Sequence, residues 1–118
     1  MNARKFFKSF RYAVEGILTA IKEQNLRFHL LSAVIVVLAG LLTGLSTTEW
    51  LIIILVIALV IGAELFNSAV ERVVDLASPE IHPLAKQAKD IAAGAVLVFA
   101  VASVIIGLLI FLPKWLYI

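Results

Sequence analysis

Residues 91–112 run for 22 positions without one charged side chain. That is long enough for a helix to cross the ~30 Å hydrocarbon core of a bilayer. Two further stretches behave similarly. Residues 28–46 form a first candidate span, bounded by the polar run Ser46-Thr-Thr-Glu49, and residues 50–70 form a second. Lipid supplies no hydrogen-bond partners, so each stretch must close its backbone bonds internally. The chain therefore reads as an all-α membrane protein with three transmembrane helices. Hydrophobic residues make up 63% of its 118 positions and charged ones 15%, against about half and a quarter in a soluble domain. The whole, residues 1–118, reads as one domain.

The second span does not end as the others do. From Gly62 it acquires Glu64, Asn67, Glu71 and Asp75. At ~100° per residue these positions share one narrow helical stripe, and the helix should run on through Leu76. An ionisable residue in a membrane span costs ~2.5–3.5 kcal/mol at the bilayer centre, so the default reading of such a residue is functional. Glu64 is the hardest of the four to assign to decoration.

Residues 2–27 read as an amphipathic surface helix with room for one break. Phe6, Phe7, Phe10, Ala13, Val14, Ile17 and Ile21 recur at helical spacing, with Lys5, Lys8, Arg11 and Lys22 on the remainder. The basic residues spread through this pattern do not resemble a signal peptide. Residues 77–89 carry Pro79, His82, Pro83 and several charges and read as a loop outside the bilayer. Pro113 is expected to stop the third helix.

Charge sets the expected orientation. Arg4, Lys5, Lys8, Arg11, Lys22 and Arg27 precede the first span, and Arg72, Lys86 and Lys89 lie between the second and third. Only Lys114 lies on the other side. This bias puts the N-terminus and the 71–90 loop in the cytoplasm and the chain in the inner membrane, with Trp50 and Trp115 at the outer interface. The net charge of +2 gives no reason to invoke nucleic acid, and the absence of cysteine excludes thiolate metal sites.

Three charged elements meet at the expected inner interface: residues 22–27, the acidic stripe, and Lys89-Asp90. Glu23 and Glu71 could hold a hard cation, since magnesium commonly takes one or two carboxylates plus substrate phosphates. Glu64, the deepest, suits a general base for a weakly acidic hydroxyl. Lys89 could offset phosphate charge. No Gly-x-x-x-x-Gly-Lys-Ser/Thr is present, which excludes an ordinary P-loop. Physical reasoning alone stops at a carboxylate-rich, metal-dependent site. A small oligomeric transporter subunit, or a non-catalytic membrane adaptor, also meets the composition.

The residues resemble a known family. Glu64-Leu-Phe-Asn-Ser-Ala-Val-Glu71-Arg-Val-Val-Asp75 followed by His82-Pro-Leu-Ala-Lys-Gln-Ala-Lys89-Asp90 is similar to the prokaryotic diacylglycerol kinase and undecaprenol kinase family. Phe6-Phe-Lys-Ser-Phe10 and Glu23-Gln-Asn-Leu-Arg-Phe-His29 extend the likeness over nearly the whole chain. The resemblance implies a homotrimer, magnesium-ATP as donor and a membrane lipid alcohol as acceptor. It places the metal on Glu23 and Glu71 and the catalytic base on Glu64. Its nucleotide contacts fall on Lys5, Tyr12, Glu23, Asn67, Glu71, Asp75, Glu80, Ile81, His82, Lys89 and Asp90. The lipid contacts expected with Glu64 are Asn25, Arg27 and His29. Asn25-Leu-Arg-Phe-His29, Glu80-Ile-His82-Pro83 and Phe111-Leu-Pro-Lys114 look like the Gram-positive branch, associated with undecaprenol; diacylglycerol is the alternative acceptor. Catalysis in such an enzyme is positioning and electrostatics.

Overall fold

The computed structural model describes residues 2–117; residues 1 and 118 of the expected domain lie outside them. Four helices follow in order: α1 (Ala3–Ala20), α2 (Gln24–Thr43), α3 (Thr47–Ala77) and α4 (Pro83–Leu116). α2, α3 and α4 are each long and apolar enough to cross a membrane. The described residues contain no strand, and the chain is an all-α membrane protein.

Three of the four helices, α1, α3 and α4, start at a residue whose side chain caps them. Asn2 Oδ1 accepts from Arg4 N at 3.0 Å and Lys5 N at 3.4 Å, satisfying two otherwise orphaned donors of α1. Ser46 and Glu49 form a reciprocal capping box at the start of α3. His82 Nδ1 accepts from Leu84 N at 3.1 Å, and Pro83 occupies the first turn of α4, where its missing N–H costs nothing.

The stretch 2–27, read as a helix with room for one break, is broken once. α1 ends at Ala20, and a tight turn through Ile21, Lys22 and Glu23 opens into α2. No glycine or proline marks this corner. It is fixed by tertiary packing, with Ala20 and Leu26 on either side of it both buried. α2 therefore begins four residues before the expected span and ends at Thr43. There Gly44 takes φ 81°, a left-handed value that glycine adopts without strain. The α2–α3 corner also requires Gly40, because a Cβ there would lie 2.7 Å from Trp50 Cη2.

Two further expectations are corrected at α4. Residues 83–89 are helical and not loop, because the His82–Pro83 start seeds the helix well before the apolar run. Pro113 lies inside the helix, which continues to Leu116. The residues beyond the proline are tied back: Lys114 Nζ pairs with Glu49 Oε1 at 3.0 Å, and Trp115 Nε1 donates to Thr43 Oγ1 at 2.9 Å. These ties hold the last turn against the bond that proline removes.

α3 packs chiefly against α4, and α2 lies alongside both. Ile53, Ile110 and Phe111 form the core at the Trp50 end of the bundle, with Val36, Ala39 and Leu45 around them. Many large apolar side chains stay exposed, Phe66, Leu42 and Leu109 among them. Outward apolar faces of this kind suit lipid or other membrane helices.

Candidate active site

The acidic stripe descends from the interior of the bundle to its surface. Glu64 is buried, its side chain only 3% exposed. Asn67 is buried, Glu71 half-buried and Asp75 exposed. Glu64 and Glu71 are seven residues apart, or ~10 Å along α3. This gradient divides the site into two levels.

At the deeper level, His29 of α2 faces Glu64 across the helix gap, with Nε2 3.6 Å from Oε2. At the shallower level, the α1–α2 corner delivers Glu23 to α3. Its Oε1 accepts from Ser68 Oγ and from Arg72 Nη1, both at 2.7 Å. Arg72 also donates to Ser68 Oγ. The Ser68 hydroxyl, and secondarily the Arg72 guanidinium, hold the Glu23 carboxyl below its ordinary value of 4.5. Ser68 and Glu71 are three apart on α3, so Glu71 lies within one helical turn of the residue that holds Glu23. Between the levels sits Asn67, whose buried Oδ1 has no hydrogen-bond partner. A native interior seldom leaves such an acceptor unpaired, and a ligand is one way to satisfy it.

A third element lies where α3 turns into α4. Lys89 Nζ is 2.5 Å from Asp75 Oδ1, closing the hairpin. Above this pair is an open cleft of about 290 Å³, lined by Asp75, Glu80, Ile81, His82 and Lys89 among others. Five of the residues expected to touch nucleotide are thus brought to one cleft. Asp90 is paired with Lys86 along α4 at 2.6 Å. Lys5 and Tyr12 stand exposed on α1, and Asn25 and Arg27 stand exposed on the first turn of α2; none of them makes a side-chain hydrogen bond or ion pair among the described residues.

Ser68 and Arg72 were not among the expected site residues. Ser68 falls one residue off the acidic stripe, directly after Asn67. Its use depends on Glu23, 45 residues away in sequence, which no local pattern reveals.

A divalent cation fits this donor set. No three His, Asp or Glu side chains converge among the described residues, so the protein alone does not build a closed cage. Glu23 engages both partners through Oε1 and leaves Oε2 uncommitted, and Glu71 enters no ion pair among the described residues. Two carboxylates completed by phosphate oxygens is the arrangement magnesium favours.

A profile of the prokaryotic diacylglycerol kinases matches residues 11–111. The chain belongs to the prokaryotic diacylglycerol kinase family. It is 56% identical over 111 residues to undecaprenol kinase of Bacillus subtilis, across 93% of this chain and 90% of that one. It is 45% identical over 107 residues to diacylglycerol kinase of Synechocystis sp., across 89% of this chain and 61% of that longer protein. Diacylglycerol kinase of Helicobacter pylori J99 matches at 37% over 97 residues, across 80% of this chain and 75% of that one. Family membership makes the chain a lipid kinase with ATP as phosphoryl donor, and sets aside the transporter and adaptor readings.

Proposed function

We propose that this member of the family phosphorylates undecaprenol with magnesium-ATP, as a homotrimer in the bacterial inner membrane, with the Glu23 end of the bundle in the cytoplasm. The observation that carries the chemistry is the pairing of levels on α3. Glu23 is tied to the face that bears Glu71, and Glu64 stands buried ~10 Å deeper. A water-soluble triphosphate is met at the first level and a lipid hydroxyl at the second.

Magnesium, held by Glu23 and Glu71 with phosphate oxygens, would neutralise charge on the transferring group. Lys89 and the cleft around it position the nucleotide, with Asp75, Glu80, Ile81 and His82 lining it; Asp90, next along α4, and Lys5 and Tyr12, exposed on α1, are the further nucleotide contacts of this reading. Asn67 offers its free carbonyl oxygen between the two levels. Glu64 takes the proton of the acceptor hydroxyl, which Asn25, Arg27 and His29 help to place. The nine-to-one distribution of Lys and Arg supports the orientation. The exposed apolar faces leave room for contact with further copies as well as with lipid.

The acceptor is read from the 56% identity to an undecaprenol kinase. Diacylglycerol is the second reading, favoured by the name that the other relatives share. Turnover of purified protein on each lipid in the same micelles, with and without magnesium, separates them. Magnesium-dependent phosphorylation of undecaprenol in preference to diacylglycerol supports the proposal. A strong diacylglycerol preference reverses the acceptor, and no lipid phosphorylation removes the reading.

A further inference from the structure

His29 stands at a junction that its expected role as a lipid contact does not use. Its Nε2 is 3.6 Å from Glu64 Oε2, and its side chain is 16% exposed where that of Glu64 is 3% exposed. Among the described residues it is the one basic side chain within ion-pairing distance of Glu64. It also lines two spaces at once. One is a partly open, mainly apolar pocket of about 100 Å³ between α2, α3 and α4; the other is a groove of about 390 Å³ between α2 and α4. From α4 those walls present Ser103 and Gly107 and no ionisable group; α3 presents Val60 and Ile61 to the pocket and Glu64 to His29. α1 packs against α3 and lines neither space.

A base buried this deeply has a second task after it accepts a proton. Transfer forms a bond between the acceptor oxygen and the γ-phosphorus and breaks the bond from that phosphorus to the bridging oxygen of the departing diphosphate. The hydroxyl proton ends on Glu64, which must lose it before the next turnover. Apolar walls deny it direct contact with water.

We infer that His29 is a positioning and proton-accepting partner of Glu64: it holds the carboxylate towards the α2 side, takes the transferred proton on Nε2, returning Glu64 to its basic form, and releases it to solvent from its more exposed ring before the next turnover. The inference rests on the role proposed above for Glu64. Imidazole is suited to the task because it exchanges protons near neutral pH. The 3.6 Å separation is just beyond hydrogen-bond length.

The test is kcat against pH for the wild type and His29→Gln on undecaprenol, together with His29→Ala in added imidazole. Glutamine keeps a polar side chain of similar reach but does not titrate. The expected result is a pH-dependent limb of kcat in the wild type that His29→Gln lacks. Imidazole should restore His29→Ala turnover at least about tenfold, a part of the ~10²–10⁴-fold that general acid–base groups contribute. A wild-type pH profile in His29→Gln, or no response of His29→Ala to imidazole, overturns the relay and leaves the kinase reading intact. A wild type without turnover on either lipid overturns both.

Discussion

Arg72 Nη1 lies 2.7 Å from Glu23 Oε1, so the carboxylate suited to a metal is already neutralised by a guanidinium. A cation that claims Glu23 competes with this pair. A hydrogen bond to a charged group contributes ~1.5–3 kcal/mol. Arg72→Gln is expected to lower the magnesium concentration for half-maximal turnover by up to about tenfold, the equivalent of ~1.4 kcal/mol. It should also lower the thermal midpoint measured without metal. A raised magnesium requirement would assign Arg72 to the phosphates instead.

The same tie has a pH signature. Glu23 is held below 4.5 by the Ser68 hydroxyl and by Arg72, so the folded protein favours the charged form more than the unfolded chain does. This contribution is complete above the unfolded value and is lost as pH falls through the lower folded value. The thermal midpoint of Glu23→Gln should lie below wild type at neutral pH. The gap should close as the pH is lowered past about 4.5. A gap independent of pH would show that Glu23 stabilises the corner without its charge.

Asn67 stores an unpaired acceptor in the bundle. An unsatisfied buried polar group costs ~1–3 kcal/mol. Asn67→Leu, of similar volume, should therefore leave the thermal midpoint unchanged or raised. It should cut turnover by about 10² or more, as removal of one positioned polar group does in other active sites. Loss of stability with turnover preserved per folded molecule would make Asn67 a packing residue.

The far end of the bundle should behave differently. Lys114–Glu49 and Trp115–Thr43 tie α4 to α3 and α2 beyond Pro113. Thr43 is 14 residues from His29 on α2, or ~21 Å. The double variant Lys114→Ala, Trp115→Phe should lower the thermal midpoint by a few degrees, since a part-exposed ion pair contributes at most ~1 kcal/mol. KM for ATP and lipid should not change. A shift in either KM would mean that the two ends are coupled.

What the sequence revealed, and what it hid, follows from the range of the interactions. The three apolar runs and the acidic stripe are local patterns, and both reappear as α2, α3, α4 and the burial gradient from Glu64 to Asp75. The sequence allows one break within residues 2–27 but does not place it at Ile21–Glu23, because no turn residue makes that corner. Ala20, Leu26 and the reach of Glu23 to Ser68 make it, and all are tertiary. Pro113 misled for the same reason, because the contacts that carry the helix past it come from Glu49 and Thr43. His29 was expected as a lipid contact; its closeness to Glu64 required the packing of α2 on α3.

The central claim is that Glu23 and Glu71 gather a divalent cation on nucleotide at the membrane surface. Manganese binding in the presence of ATP, followed by electron paramagnetic resonance on detergent-solubilised wild type, Glu23→Gln and Glu71→Gln, tests it without relying on turnover. The account predicts a protein-bound manganese signal in the wild type that is lost or strongly weakened in both variants, while their assembly by size-exclusion chromatography is unchanged. Equal manganese occupancy in all three proteins would contradict it.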